Sequence, residues 1–194
     1  RNTLRISSDA SVLLFVGRIT PDKGVRELIS AFNRIKNDGS NIHLILIGPF
    51  DTDSGVSNSI SENEIITIPE LHLIGYSDCP EKYMSISDIL CLPSYREGFG
   101  TVVIEAAAMG VPTVGSDIYG LTDAVVHGET GVLVPPEDID ALYEGISLLL
   151  SDQLLCKKMG QSAKERAEKL FSADRVNDGV VKEYHRLLQD KKFK

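Results

Sequence analysis

The chain has 194 residues, of which 42% are hydrophobic, 25% charged and 6% aromatic, and its formal net charge is −8. This composition is typical of a folded globular domain and excludes a disordered or fibrous chain. No apolar run approaches the roughly 20 residues that span a bilayer, and the first residues do not lead into a signal peptide. We expect one soluble domain over residues 1–194, with a core over about 10–150 and a helical tail over about 151–194.

The charge is unevenly distributed along the chain. Residues 1–156 carry 9 basic and 22 acidic side chains, whereas residues 157–194 carry 11 basic and 6 acidic ones. An acidic body argues against nucleic-acid binding, which needs clustered Lys and Arg to neutralise phosphates. The basic tail predicts contact with an anionic surface, either a further domain or the face of a membrane. A solvated helix face is the alternative.

The three cysteines, Cys79, Cys91 and Cys156, are widely spaced and form neither a zinc-binding pattern nor a disulfide framework. They predict a reducing compartment and hence a cytoplasmic protein. The histidines have no partners at metal-ligand spacing, and the sequence shows no Ser/His/Asp or Cys/His set. We therefore expect no metal and no cofactor.

Six apolar runs of strand length recur along the chain, and they are nearly continuous rather than alternating. Parallel strands that are covered on both faces have this pattern. The runs are Val12–Val16, Ile42–Ile47, Leu71–Ile74, Ile89–Leu92, Pro112–Val114 and Val132–Val134. A helical pattern follows the first run, from Val25 to Ile35. This alternation predicts an α/β fold, a doubly wound Rossmann-like parallel sheet whose ligands lie beyond the carboxyl ends of the strands.

Two other segments have patterns of their own. Residues 51–63 are polar and lack clear periodicity, which predicts a long loop or a weak helix. The chain is predicted to become helical from Glu137 onward. Three helices are marked by Leu142, Ile146 and Leu149, by Met159–Phe171, and by Val176–Leu188.

The loop between the first strand and the first helix carries two cations, Arg18 and Lys23. Lys23 lies in the first turn of the predicted helix, where a cation opposes the helix dipole unless an anion lies between them. Together with backbone N–H groups, these two side chains are suited to binding a phosphate or a diphosphate. The alternative is two solvated surface cations.

The fourth apolar run leads into a loop that carries Glu97 and then into a helix that carries Glu105. From position 102 to 109 every residue except Glu105 is apolar, which predicts a helix buried on nearly all sides. A buried carboxylate needs a partner, and the two hydroxyl groups of a ribose would provide one. A distant Arg or a backbone group is the alternative. For Glu97 we expect a contact with sugar hydroxyls, and the alternative is an exposed ion pair with Arg96.

Four segments of the chain resemble a known family: FVGRITPDKG, HLIG, PSYREGFGTVVIEAAAMGVPTVGSD and HGETGVLVPPED. They are similar to the carboxyl-terminal nucleotide-sugar-binding domain of retaining GT-B glycosyltransferases of the group 1 (family four) class. The resemblance covers roughly residues 10–150, and its core is the E-x7-E element formed by Glu97 and Glu105. It is specific because GFG lies between the glutamates and the Arg-x4-Lys pair lies upstream.

The resemblance implies roles for individual residues. Arg18 and Lys23 match the diphosphate-binding pair, Glu105 matches the ribose-binding carboxylate, and Glu97 matches the glutamate that contacts the donor sugar. Arg18, Lys23 and Glu97 are the implied catalytic residues, because the cations would stabilise charge on the departing diphosphate. The other implied donor-binding residues lie on backbone that follows the sugar, the phosphates or the base: Gly17, His72, Ile74, Gly75, Gly98, Phe99, Gly100 and Thr101.

One loop departs from the family pattern. Where the family often has a Gly-Gly-hydrophobic-x-Glu run, this chain has Tyr119-Gly120-Leu121-Thr122-Asp123. The role of this loop is therefore open at the level of sequence.

The activity implied by the resemblance is retaining transfer of a hexose from a nucleoside diphosphate sugar, by default a UDP-sugar, to a saccharide or lipid-linked acceptor in polysaccharide biosynthesis. GT-B enzymes have two Rossmann-like domains and bind the acceptor mostly in the amino-terminal one. We therefore expect a donor-binding half that lacks its acceptor domain and is inactive alone. Two alternatives stay open: a sugar-nucleotide epimerase or phosphorylase-like enzyme of similar fold, and a non-catalytic nucleotide-binding or interaction module.

Overall fold

The computed structural model describes residues 1–50 and 61–191. In this part of the chain one sheet has the strand order β3-β2-β1-β4-β5-β6, and every adjacent pair is parallel. Its strands are β1 (Ser11–Val16), β2 (Ile42–Ile47), β3 (Leu71–Gly75), β4 (Ile89–Leu92), β5 (Thr113–Ser116) and β6 (Gly131–Val134). The predicted α/β fold with a Rossmann-like parallel sheet is confirmed, and the strand order reverses between β1 and β4, where such sheets bind ligands.

Helices connect and cover the strands. They are α1 (Val25–Asn37), α2 (Glu62–Ile66), α3 (Glu81–Met84), α4 (Thr101–Ala108), α5 (Leu121–Ala124), α6 (Ile139–Ser151), α7 (Gln153–Phe171) and α8 (Ala173–Lys191). α1 packs against α6, and α4 packs against α7. All six residues of β2 are buried, as expected for a continuous apolar strand covered on both faces.

The predicted loop or weak helix at residues 51–63 falls mostly outside the described residues. Its last part is ordered by a capping box: Ser61 accepts a hydrogen bond from the Glu64 backbone N–H, while the Glu64 carboxylate accepts one from the Ser61 backbone. This reciprocal pair of hydrogen bonds starts the short helix α2.

The predicted helical tail divides into two parts with different packing. α7 packs closely on the body of the protein through small residues, and a Cβ added at Gly160 would lie 2.1 Å from the carbonyl oxygen of Gly110. In α8, by contrast, residues 173–189 are all exposed. α7 is thus part of the packed body, whereas nearly the whole surface of α8 is exposed to solvent.

The sequence of α8 bears on the predicted membrane contact. This helix contains four acidic and four basic residues, so the positive charge of the tail does not come from α8. Its exposed apolar side chains include Val176, Val180, Tyr184 and Leu187. No described helix combines the length and apolar composition needed to cross a membrane. Contact of the tail with a membrane surface stays a prediction.

Candidate active site

Glycines lie at the carboxyl ends of three neighbouring strands. Gly17 follows β1, Gly48 follows β2, and Gly75 is the last residue of β3. The Gly48 N–H donates to the Gly75 carbonyl at 2.8 Å. Gly48 has φ +142°, and a Cβ there would lie 1.9 Å from the Gly17 carbonyl oxygen. A side chain at Gly48 is therefore excluded, and the loop that carries Arg18 is held against its neighbour.

Lys23 and Glu97 meet at the point where the strand order reverses. Lys23 ends a short 3-10 helix, Pro21–Lys23, directly before α1, and Glu97 lies in the loop after β4. Lys23 Nζ lies 2.5 Å from Glu97 Oε1, and these side chains are only 14% and 17% exposed. The structure thus joins two residues 74 positions apart that the sequence assigned to diphosphate and sugar binding.

The two alternatives for these residues are not what the structure shows. Lys23 is not a solvated surface cation, because its ammonium group donates to Glu97 and, at 3.3 Å, to the Arg96 carbonyl. The exposed Arg96 side chain pairs with Asp22 at 3.6 Å rather than with Glu97. The Thr20 hydroxyl donates to the Asp22 carboxylate at 2.6 Å, and this hydrogen bond lowers the pKa of Asp22.

Ser94 is a site residue that the sequence analysis missed. It lies two residues beyond β4, is fully buried, and donates from Oγ to Glu97 Oε1 at 2.9 Å. Tyr95 fixes the same loop, since its backbone N–H donates to the Asp22 carbonyl at 2.8 Å. The available signal was a small hydroxyl residue three positions before the candidate glutamate, but sequence does not show where a hydroxyl points.

The contact between Lys23 and Glu97 removes most of the repulsion that the Glu97 carboxylate would exert on an anionic ligand. A carboxylate alone would repel a diphosphate, but Lys23 neutralises Glu97 at 2.5 Å. An ammonium group has three N–H donors, of which Lys23 uses two within residues 1–50 and 61–191, so the third can donate to a ligand. Arg18 is exposed on the neighbouring loop after β1.

The start of α4 lies beside this ion pair. Gly98 and Phe99 are exposed, and Gly100, with φ +64°, precedes Thr101 at the first position of the helix. The Phe99 ring packs edge-on against Phe171, the last residue of α7, with 5.5 Å between ring centroids. The segment from Gly98 to Thr101, which is predicted to lie along the sugar and the phosphates, thus packs against the end of α7.

The prediction that α4 is buried on nearly all sides is wrong. The helix buries Val103, Ala106 and Ala107, whereas Glu105 and Met109 are exposed. An apolar composition does not reveal which side faces the protein, and here apolar residues also cover an open surface. The cost of burying a charge therefore gives no reason to assign a ligand to Glu105.

Glu105 instead lines an open cleft of about 430 Å³. The cleft lies between α4 and the segment that follows β3, and its other lining residues are Asp78, Pro80, Glu81, Met84 and Met109. The cleft follows α3 and α4: Asp78 and Pro80 come shortly after the carboxyl end of β3, whereas Met84 and Met109 lie at the carboxyl ends of these two helices. Glu105 has no hydrogen bond or ion pair with any residue of the described ranges, so its carboxylate can accept hydrogen bonds from a ligand.

The loop that departs from the family pattern supports the Glu97 segment. Gly120 has φ +92°, and a Cβ there would lie 2.6 Å from the carbonyl oxygens of both Glu97 and Gly98. Arg166 of α7 holds the end of α5 by donating to the Asp123 carbonyl at 2.9 Å. Tyr119, which stands in place of the first family glycine, is exposed.

The structure places the side chain of His72 away from the ion pair. His72 is the second residue of β3, and its ring stacks on that of His43, with 2.9 Å between His72 Nε2 and His43 Nδ1. Burial lowers the pKa of both rings. Ile74 and Gly75 lie at the carboxyl end of the same strand.

A metal site is not visible in the described residues. Nowhere in residues 1–50 and 61–191 do three His, Cys, Asp or Glu side chains come together as ligands for a metal ion. Among the described residues, the charged groups that the resemblance assigns to the donor site are the Lys23–Glu97 pair, Arg18 and Glu105.

The sheet order and the residues at its carboxyl edge define a class of protein, the carboxyl-terminal half of a GT-B glycosyltransferase. Residues 1–166 match the family described as glycosyl transferases group 1, and the chain belongs to this family.

Known proteins similar to the chain extend this assignment. The capsular polysaccharide biosynthesis glycosyltransferase CapM of Staphylococcus aureus is 34% identical over 98% of this chain and 50% of its own length. The structure of a sucrose-phosphate synthase from Thermosynechococcus elongatus is 30% identical, with a TM-score of 0.84 over 98% of this chain and 48% of its own. HepE from Anabaena, solved in complex with UDP, shares the fold with a TM-score of 0.86 and 22% identity, over 96% of this chain and 51% of its own. The chain thus spans about half the length of these relatives.

Proposed function

We propose that this chain is the donor-binding half of a retaining hexosyltransferase whose donor is a UDP-sugar. The observation that carries the proposal is the 2.5 Å contact between Lys23 Nζ and Glu97 Oε1. It unites, at the switch point of the sheet, the cation expected to bind diphosphate and the carboxylate expected to bind sugar. Glu105 lies just beyond the first turn of α4, the helix that starts four residues after Glu97, and there it would bind the ribose.

The proposed chemistry is electrostatic. The bond between the anomeric carbon and the diphosphate breaks, the acceptor hydroxyl oxygen takes the place of the diphosphate on that carbon, and the hydroxyl proton passes to the departing diphosphate. Arg18 and the third N–H of Lys23 would stabilise the negative charge that grows on the leaving diphosphate, with no metal ion required. Glu97 would orient the sugar by accepting its hydroxyl groups.

The named relatives support the finer parts of the proposal. HepE was solved with UDP, which favours UDP as the nucleotide, and CapM is named for capsular polysaccharide biosynthesis. We extend the proposal to a saccharide or lipid-linked acceptor, held by a second domain. The free thiols of Cys79, Cys91 and Cys156 fit a reducing compartment, so the cytoplasm is part of the proposal.

Calorimetric titration of the chain with UDP, uridine monophosphate and uridine tests the donor site. We expect UDP to bind most tightly, and Arg18→Ala to weaken UDP binding about tenfold while leaving uridine binding unchanged. Lys164→Ala, which removes an exposed cation on α7, is the matched control. Equal affinities for the three ligands, or equal losses for UDP and uridine, would contradict the diphosphate assignment.

A second assay addresses the reaction. The chain is incubated with UDP-glucose, and the products are separated with and without a panel of saccharide acceptors. We expect no transfer, because a donor half cannot hold both substrates in a reactive orientation. Formation of an epimerised sugar nucleotide would instead support an epimerase.

A further inference from the structure

We propose that Ser94 is a positioning residue that holds the Glu97 carboxylate in the orientation needed to bind the donor sugar. This inference rests on the proposed function, because it assigns Glu97 to the sugar. It adds a residue outside the E-x7-E element and gives that residue a measurable consequence for sugar binding.

The geometry starts from a single oxygen atom. Glu97 Oε1 accepts hydrogen bonds from Ser94 Oγ at 2.9 Å and from Lys23 Nζ at 2.5 Å. A carboxylate oxygen has two lone pairs, so these two donors use the acceptor capacity of Oε1. Both donors are well shielded, since Ser94 is fully buried and the Lys23 side chain is 14% exposed.

The other carboxylate oxygen is left for a ligand. Within residues 1–50 and 61–191, Glu97 Oε2 has no hydrogen-bond partner, although the side chain is 17% exposed. With Oε1 held by donors from two different loops, the carboxylate cannot rotate freely about its last torsion angle. Oε2 therefore keeps one direction, and a sugar hydroxyl that donates to it meets an oriented acceptor.

Ser94 and Lys23 contribute differently to this arrangement. Lys23 has a long side chain whose ammonium group can donate in three directions, and it spends two of these donors on Glu97 and the Arg96 carbonyl. Ser94 has a short side chain, is fully buried two residues beyond β4, and is followed by Tyr95, whose backbone N–H donates to the Asp22 carbonyl. Ser94 supplies the directional part of the contact, whereas Lys23 supplies charge.

The neighbouring strand offers a matched comparison. Ser116 is the last residue of β5, is 1% exposed, and its Oγ has no hydrogen-bond partner among the described residues. Both serines are therefore buried on the carboxyl side of adjacent strands, Ser116 as the last residue of β5 and Ser94 two residues beyond β4. They differ in whether the hydroxyl contacts Glu97.

The test measures the binding of UDP and of one UDP-sugar by calorimetry. This UDP-sugar is chosen from UDP-glucose, UDP-galactose and UDP-N-acetylglucosamine as the one that the unmodified chain binds most tightly. We expect Ser94→Ala to weaken binding of the UDP-sugar about tenfold and to leave UDP binding within twofold, while Ser116→Ala changes neither. In a Glu97→Gln background, Ser94→Ala is expected to weaken sugar binding by much less than tenfold, because the two residues act together.

Each other outcome overturns the inference in a recognisable way. Unchanged UDP-sugar binding in Ser94→Ala removes the positioning role and leaves the proposed function intact. Equal weakening of UDP and of the UDP-sugar shows a general structural role for Ser94. Failure of the unmodified chain to bind any uridine nucleotide overturns the proposed function and this inference with it.

Discussion

Glu97 and Glu105 lie eight residues apart on either side of the start of α4, yet their surroundings are opposite. Glu97 is 17% exposed and is held by Ser94 and Lys23, whereas Glu105 is exposed on the wall of an open cleft. Hydrogen bonds within the protein fix the carboxylate of Glu97, whereas the hydrogen-bond donors for the carboxylate of Glu105 have to come from a ligand. Changes around Glu97 should therefore affect stability and sugar binding together, while changes at Glu105 should affect binding alone.

The largest expected effect comes from removing the backbone support of Glu97. Gly120→Ala places a Cβ 2.6 Å from the carbonyl oxygens of Glu97 and Gly98, at a φ of +92° that L-residues rarely adopt. We expect the free energy of unfolding, measured by urea denaturation, to fall by about 3 kcal/mol or more, and UDP-sugar binding to be lost.

Gly128→Ala is the matched control for this substitution. Gly128 also has a positive φ, +78°, but a Cβ there has nothing within 4 Å. It should cost only the backbone strain, about 1 kcal/mol, and leave binding intact. Equal losses in the two variants would show that Gly120 acts through its φ angle alone and does not support the Glu97 loop.

The second prediction concerns Glu105, the exposed glutamate of the two. Glu105→Gln should weaken the binding of UDP by about 10- to 100-fold, because a hydrogen bond to a charged group contributes about 1.5–3 kcal/mol. The free energy of unfolding should stay within about 0.5 kcal/mol, since Glu105 is exposed. Calorimetry and urea denaturation measure the two quantities, and Glu129→Gln, in an exposed turn, is the control. A large loss of stability without a loss of affinity would make Glu105 a structural residue.

The sequence predicted the sheet because its strands are covered on both faces. Such strands are continuous apolar runs, and Ile42–Ile47 and Ile89–Leu92 were predicted with the bounds that the structure shows. Lys23 and Glu97 were found through motif spacing. Their direct contact was not predicted, because it joins loops 74 residues apart and depends on the order of the strands.

Other features could not be predicted because they depend on packing. The exposure of Glu105 reflects which side of α4 meets α7, and an all-apolar helix gives no sign of that side. The contact of Ser94 with Glu97 depends on the side-chain direction at a strand end. α7 and α8 have similar helical patterns, yet only α7 packs closely on the body.

The third prediction tests whether α7 supports the donor loop. Phe171→Ala removes the ring that packs on Phe99 and that also lies under the Arg166 guanidinium, 5.5 Å from its centroid. Because Phe171 is only partly buried, we expect a loss of about 1–2 kcal/mol in unfolding free energy, together with weaker UDP-sugar binding. The exposed Leu154 of the same helix is the control, and Leu154→Ala should change neither quantity. Unchanged sugar binding in Phe171→Ala would separate α7 from the site.

The smallest expected effect is a pH dependence of stability caused by His72 and His43. The ring of His72 lies against His43 rather than beside Glu97. Burial is the largest effect and lowers the pKa of both rings. The charge of His43 lowers the pKa of His72 further, and the charges of Arg1 and Lys36 lower the pKa of His43. The Glu70 carboxylate raises both pKa values and so opposes these effects. The unfolded chain then takes up protons at a higher pH than the folded chain does. The contribution of the pair is therefore fully present above the ordinary value of 6.5 and is lost as the pH falls through the lowered pKa values.

Urea denaturation at pH 7.5 and pH 5.5 measures this pH dependence. We expect the free energy of unfolding to decrease on acidification, and His43→Gln to make that decrease smaller while leaving UDP affinity at pH 7.5 unchanged. His185→Gln, on the exposed helix α8, should keep the full pH dependence. A loss of UDP affinity in His43→Gln would instead mean that the histidine pair affects the carboxyl end of β3, which the resemblance assigns to the base of the donor.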